Sequence, residues 1–439
     1  MGSTLRRRAM LAAGLSAVIG LTAACSSGTT TGTDSGSAAP SASGSVPTTV
    51  SGTVRVLMEG VPDTDVVKAM LPEFNKVYPN VNVQIESIVY DQIKDKIVAS
   101  FQAPQPTYDL AIIDNPWMGD FARAGFLAPL DDRIAATPGY NYDDFAKPLR
   151  DIGTVDGKVY GVPFYNYGLG LIFRKDLYAK AGLQPPTTLD ELAADAAKLN
   201  TAGTAGIAMQ PQRGYKAFEE WGNYLFAAGG SIYGSDNKVH INTPEGKKAL
   251  ETYISMYKSS APANSLNWAF DEALRSVSAG KSAQMVSYNW MLPTLNKSGG
   301  QSGALAGNFA LSTMPGGKQV LGLWDWAIPA NSKVSDADWA FVSWLTSPSG
   351  EKARVIAGGA PTRNSILTDP EVAAKGYGAE YYAAVAKILG NSAPLCSGSN
   401  CDEMITAVGT EINAAVAGQE SVDDALKNAE DKANQIQAQ

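Results

Sequence analysis

The chain has 439 residues, a formal net charge of −8 and a hydrophobic content of 45%, ordinary for a globular protein. Removing residues 1–24, which hold three arginines and no acid, leaves the body more acidic still, which argues against nucleic acid or an anionic membrane surface as its ligand. What remains is too large for one compact core and predicts two lobes.

Arg6, Arg7 and Arg8 form a basic start, followed by an apolar, uncharged run from Ala9 to Ala24 and then Cys25. The run is shorter than the ~20 apolar residues of a membrane span. Charge, apolar core, small residues and cleavage point come in the order of a secretory signal, assigned to residues 1–24. Thr22-Ala23-Ala24-Cys25 resembles a bacterial lipobox, in which the Cys25 thiol accepts the lipid. Thr22 departs from the apolar residue usual there, and a plain cleaved signal with a stray cysteine is the alternative. Arg7-Arg8-Ala9-Met10-Leu11 resembles a twin-arginine signal, so the export route stays open between that and general secretion. Residues 25–51, almost wholly Ser, Thr, Gly, Ala and Pro after Cys25, predict a flexible tether, because they bury too little apolar surface to offset ordering entropy. No later stretch is apolar enough to span a bilayer, so the lipid would hold the protein at the outer face of the cell membrane.

Val54 to Met58 predicts a first strand, broken by Gly60, Pro62 and Asp63. Val66, Val67, Met70, Leu71, Phe74 and Val77 recur at helical spacing, and Pro79-Asn80 closes that helix. Val81 to Ile85 alternates as a second strand. Asp91 is placed to cap a helix holding Ile93, Ile97, Val98 and Phe101. Asp109 to Ile113 predicts a third, buried strand, and Phe121 to Leu127 a helix. This alternation predicts an α/β fold with a parallel sheet and crossover helices, whose ligands lie outside the carboxyl ends of the strands. That rule points to Glu59 and Gly60, to Tyr90 and Asp91, and to Asp114-Asn115-Pro116-Trp117.

The rhythm resumes with a strand over Leu169–Phe173 and a helix over Leu189–Asn200. Lys238–Asn242, which carries the sole histidine, His240, reads as a strand, and so does Ala283–Ser287. Cys396 and Cys401 flank a short Gly/Ser loop. Outside the cytoplasm such a pair forms a disulfide, here a local clip, and with no nearby histidine a metal site is the weaker reading.

Several patterns in this order resemble the family 1 extracellular solute-binding proteins, the group that includes maltose-binding proteins. They are Tyr108–Ile113 with Phe121–Leu130; Val159–Pro163 leading to Ile172–Leu177; Phe270 to Trp290 with Gly280–Met285; Ala327–Ser332 with Trp339–Pro348; Pro361-Thr362-Arg363; and a closing helix pair from Asp402 to Ile436. The resemblance covers about residues 52 to 439. It implies a two-lobed periplasmic-binding-protein-like fold with discontinuous lobes, a hinge and a cleft that closes on its ligand. It places the crossings near residues 165, 321 and 360, giving one lobe of 52–165 plus 322–360 and another of 166–321 plus 361–439. It further implies a monomeric receptor without cofactor that captures a sugar, oligosaccharide or polyol and passes it to the permease subunits of an ABC importer.

A sugar presents hydroxyls on its rim and C–H groups on its faces, so its site combines flat rings with planar polar groups. The ring candidates are Trp117, Tyr165, Tyr167, Trp221, Trp290, Trp324 and Trp326. The polar candidates are Glu59, Asp114, Asn115, Asn166, Asn289, Asp325 and Arg363. Each has a structural reading beside the functional one: the tryptophans as core, Asp325 as a helix cap, Arg363 as one half of an ion pair. Trp290 and Trp324 fall where the family places rings that stack on the ligand, whereas Trp339 and Trp344, on one predicted helix, read as core.

Enzyme readings fare worse. There is no nucleophile elbow and no histidine pair for zinc. Gly280-Lys281-Ser282 lacks the upstream glycine of a phosphate loop, since Arg275 stands in its place. A surface-anchored glycoside hydrolase needs only two carboxylates and is the alternative, but Asp131-Asp132 and Asp143-Asp144 read as solvated turns. A receptor for a non-sugar solute and an adhesive lipoprotein also remain.

Overall fold

The structure, a computed structural model, describes residues 46–439. The expected signal segment, Cys25 and the tether as far as Ser45 lie outside the described residues. The tether was expected to run free to Ser51. Instead Val46 and Val50 pack half-buried against the first core, and the Tyr78 hydroxyl donates to the Val46 carbonyl at 3.5 Å, so the chain is held to the body from Val46.

The first third follows the predicted alternation: β1 (Gly52–Glu59), α1 (Pro62–Val77), β2 (Val81–Ile88), α2 (Tyr90–Gln102), β3 (Leu110–Asp114) and α3 (Asn115–Arg123). β1 lies between β2 and β3, parallel to both. β3 is buried along its whole length, as its unbroken Leu-Ala-Ile-Ile run requires. Two local expectations change. Asp91 lies within the first turn of α2 and not at its cap, which is Val89. The helix expected over 121–127 begins at Asn115, because the Asp114 carboxylate accepts from the Asn115 N–H and Pro116 occupies the first turn.

Later elements complete two lobes: β4 (Val162–Asn166), β5 (Leu169–Arg174), α4 (Tyr215–Ala227), β6 (Gln284–Tyr288), β7 (Phe309–Ser312), β8 (Leu323–Ala327), α5 (Ser335–Leu345), α6 (Pro348–Ile356), α7 (Cys401–Val416) and α8 (Val422–Gln437). The first sheet has the order β2-β1-β3-β8-β4. One strand corrects the all-parallel expectation: β8 runs antiparallel to both β3 and β4, which leaves β4 in the same direction as β1 to β3. The second sheet, β6-β5-β7, is antiparallel. The chain leaves the first sheet after Asn166, enters the second at Leu169, and returns to the first at Leu323.

Residues 238–242 form no strand. Val239 makes one bridge to Tyr233, and the Asn434 side chain takes both backbone groups of Val239, which a neighbouring strand would otherwise use. His240 lies 3.0 Å from the Asp236 carboxylate. Cys396 and Cys401 are disulfide-bonded.

Each lobe has its own apolar core. One gathers β1 to β4, β8 and α5 around Phe74, Phe164, Trp326 and Phe341; the other gathers α4, α7 and α8 around Trp221, Tyr253 and Ile412. A third cluster takes Leu149 and Leu323 together with Ile172, Met285 and Tyr382, so apolar packing continues from one lobe into the other.

Candidate functional site

Glu59 ends β1 and Asp114 ends β3, so two neighbouring parallel strands deliver two carboxylates to one sheet edge. Tyrosines hold both. The Tyr165 hydroxyl donates to Glu59 Oε2 at 2.8 Å, and the Tyr90 hydroxyl donates to Asp114 Oδ2 at 2.9 Å. The Tyr167 hydroxyl lies 2.5 Å from Asp114 Oδ1 and 2.7 Å from Asn115 Oδ1. Burial pushes the Asp114 carboxyl up to about 7, against the pull of the two tyrosine hydroxyls and with Glu59's charge adding to the rise. Burial also raises Glu59, opposed by the Tyr165 hydrogen bond and by the Lys216 ammonium of the other lobe.

Rings line the same edge. Trp117, carried by the first turn of α3, stands perpendicular to Trp324 of β8, centroids 5.5 Å apart. Tyr90 touches both, and Tyr165 stacks on Trp324 at 6.2 Å. The second lobe faces them with Tyr215 and Lys216 at the start of α4, Tyr288 at the end of β6, and Trp290. Tyr288 and Trp290 are stacked, 5.8 Å apart and 10° from parallel, and both pack against the first lobe's core. Tyr167 meets Tyr288 edge-on at 5.6 Å. Lys216 Nζ donates to Glu219 Oε2 at 2.7 Å and lies 4.8 Å from the Tyr288 ring centre. The indole N–H groups of Trp117 and Trp290 and Oε1 of Glu219 are buried without a protein partner. Flat apolar faces, carboxylate acceptors and free donors thus meet, largely buried, where the two lobes face each other, the set a polyhydroxylated molecule needs.

Of the residues singled out in the sequence, Glu59, Asp114, Asn115, Trp117, Tyr165 and Trp324 come together on the first lobe, Tyr167 joins them from the first crossing, and Trp290 faces them. The others do not join. Trp221 lies on the inner face of α4, fully buried beside Phe218. Trp326 is two residues further along β8, where it packs on Phe164 and Phe341 beneath α5. Asp325 points to the opposite face of β8, against Gly153 and Gly161; neither oxygen has a partner, and burial raises its pKa well above the carboxylate range. It caps no helix. Arg363 is wholly buried with its guanidinium donating to the carbonyls of Tyr140, Asn141 and Thr346, close to Glu351 and stacked on Phe145, so its fork is used up inside the fold. Asn166 and Asn289 bind each other at 2.5 Å, and Asn166 also donates to the Pro361 carbonyl, an asparagine clasp between the crossing segments. Tyr215, Lys216, Glu219 and Tyr288 were not anticipated. The one available signal was position: Tyr288 stands two residues before Trp290, and Tyr215-Lys216 opens a helix directly after Arg213-Gly214.

Two α/β lobes joined by repeated chain crossings, with rings and carboxylates from both facing one cleft, define a two-lobed solute-binding protein. Residues 61–352, well over half of the chain, match the family of bacterial extracellular solute-binding proteins, and the chain belongs to that family. Among its relatives is a probable amino-acid ABC transporter periplasmic-binding protein of Sinorhizobium fredii, 26% identical over 341 residues, covering 76% of this chain and 78% of the relative. Another is the mannitol-binding protein of Pseudomonas aeruginosa, 26% identical over 383 residues, with coverage of 81% and 86%. A solute-binding protein of Agrobacterium radiobacter K84 in complex with ribitol superposes with a TM-score of 0.77 at 27% identity, over 88% of this chain and 99% of the other. Maltose-bound MalE3 of T. maritima does so with a TM-score of 0.77 at 25% identity, over 87% and 98%. The family is extracellular, and among the described residues no helix is long and apolar enough to cross a membrane.

Proposed function

We propose that this chain captures a sugar, oligosaccharide or polyol between its lobes and delivers it to the permease subunits of an ABC importer. The observation that carries the reading is the interlobe arrangement of Trp117, Trp290 and Trp324 around Glu59 and Asp114, hydrogen-bonded by tyrosines, with indole donors left free. Relatives and structural neighbours that bind mannitol, ribitol and maltose support it. The protein works as a monomer held to the outer face of the cell membrane by a lipid on Cys25, and it binds its ligand without turnover. The lobes comprise 52–165 plus 322–360 and 166–321 plus 361–439. They rotate about Tyr167-Gly168, Leu321-Gly322 and the segment near Gly358, and the ligand favours the closed form through contacts it lacks in the open one.

The test is thermal unfolding against a panel of mono-, di- and trisaccharides, polyols and amino acids. Binding with Kd on the order of 1 μM corresponds to about −8 kcal/mol. A ligand at 100 times Kd should then add ~2.7 kcal/mol of stability. If an amino acid raises the melting temperature and no carbohydrate does, the assignment is wrong. Release of reducing sugar from an added glycan would point instead to a hydrolase.

A further inference from the structure

The loop clipped by the Cys396–Cys401 disulfide is fastened to the second lobe: the Ser397 N–H donates to the Tyr233 hydroxyl at 3.2 Å, and the Asn400 side-chain amide donates to the Ile436 carbonyl of α8 at 3.1 Å. The loop and the helix that follows it meet the first lobe at three points. Arg123, the last residue of α3, donates to the Gly398 carbonyl at 3.0 Å. The backbone N–H of Asn400 donates to the Asp120 carboxylate at 3.0 Å. Lys94 of α2 lies 2.7 Å from Asp402 in the first turn of α7, and it also stands 6.0 Å from the Trp117 ring centre, which sets these contacts beside the cleft. Gly119 faces the loop so closely that a Cβ there would lie 2.7 Å from the Gly398 carbonyl oxygen.

We infer that this loop is a latch for the closed form, and that Gly119, Asp120, Arg123, Lys94 and Asp402 are positioning residues that set ligand affinity from outside the ligand contacts. The inference rests on the hinged reading above. Unlike the apolar packing at the crossings, contacts that a swing of the lobes breaks weight the closed population whatever the ligand is. The disulfide keeps a Ser, Gly and Asn loop in the one conformation that aims the Gly398 carbonyl and the Asn400 N–H at α3. Gly398 (φ +131°) and Asn400 (φ +54°) both lie in the left-handed half of backbone space, which the covalent closure helps to hold.

The experiment follows the closed fraction without ligand, by single-molecule energy transfer between dyes on Lys76→Cys and Lys258→Cys, both exposed and on opposite lobes. In parallel it measures the affinity of whichever panel compound binds. Gly119→Ala should lower the closed fraction and the affinity about tenfold while leaving the ligand-free melting temperature unchanged or higher, because alanine favours the helix. Lys94→Gln with Asp402→Asn, and separately Cys396→Ser with Cys401→Ser, should each cost about two- to fivefold. Lys247→Gln, which breaks the Lys247–Asp423 pair within the second lobe, should change neither. Unaltered closed fraction and affinity in Gly119→Ala overturn the latch, and so does a fall in its ligand-free melting temperature that matches the loss of affinity. Because the closed fraction is read without ligand, failure of every carbohydrate to bind would remove the sugar assignment and leave the latch to stand or fall on its own.

Discussion

Asp325 has both carboxylate oxygens buried without a hydrogen-bond partner, and burial, with Asp114's charge second, lifts its pKa well above the usual range. A carboxyl raised in the folded state contributes stability that is fully present below its unfolded value near 3.9 and is lost as pH rises through its folded value. Asp325→Asn should therefore melt close to the parent at pH 4.5 and above it by pH 8.5, by on the order of 1 kcal/mol, with ligand affinity unchanged. Melting curves across that range decide it; a difference that does not vary with pH would mean the carboxyl is not the cause. The two cleft tryptophans that the sequence ranked together also separate at this scale. Trp324 is enclosed by Tyr90, Trp117 and Tyr165, so Trp324→Ala should cost about 3–5 kcal/mol of ligand-free stability along with affinity. Trp290 is half-buried against Tyr288 and Phe270, so Trp290→Ala should lose affinity and keep most of the stability. Denaturant titrations of the two ligand-free variants read the difference directly.

Between elements, periodicity made β1 to β3 legible, and the carboxyl-end rule then led to Glu59 and Asp114 because both are the last residues of their strands. β8 was not legible in that way. It follows β3 by some two hundred residues, and its antiparallel register, shifted between Trp324 and Asp325, decides which of three successive side chains faces the cleft. Nothing within Leu323–Ala327 encodes that register; packing against β3, β4 and α5 does. The same holds for Arg363, whose carbonyl partners Tyr140 and Asn141 come from a segment more than two hundred residues earlier in the chain. At the second crossing the requirement is steric. A Cβ on Gly322 would lie 1.6 Å from the Tyr167 ring, and the Tyr167 N–H donates to the Gly322 carbonyl. Gly322→Ala must therefore displace Tyr167 and its hydroxyl from Asp114 and Asn115. Affinity should fall at least tenfold in a calorimetric titration while circular dichroism shows both lobes folded; unchanged affinity would show that Tyr167 contributes nothing to the site.

At the scale of the whole molecule, two sheets with separate cores would ordinarily predict two unfolding events. The third cluster argues otherwise. Leu149 and Leu323 belong to the first lobe's elements, Ile172 and Met285 to the second sheet, and Val355, Ile366 and Tyr382 to the helices that follow α5, yet all are buried in one apolar body. Separating the lobes would expose this surface at ~25 cal/mol per Å², a cost that neither lobe escapes by unfolding alone. The expectation is one calorimetric transition, with van't Hoff and calorimetric enthalpies in agreement, for the ligand-free protein. Leu149→Ala, which opens a cavity in the shared cluster, should lower that transition by about 2–5 kcal/mol and split it into two as the coupling weakens. Two separate transitions in the unaltered protein would mean that the lobes fold independently and that the hinge carries no shared core.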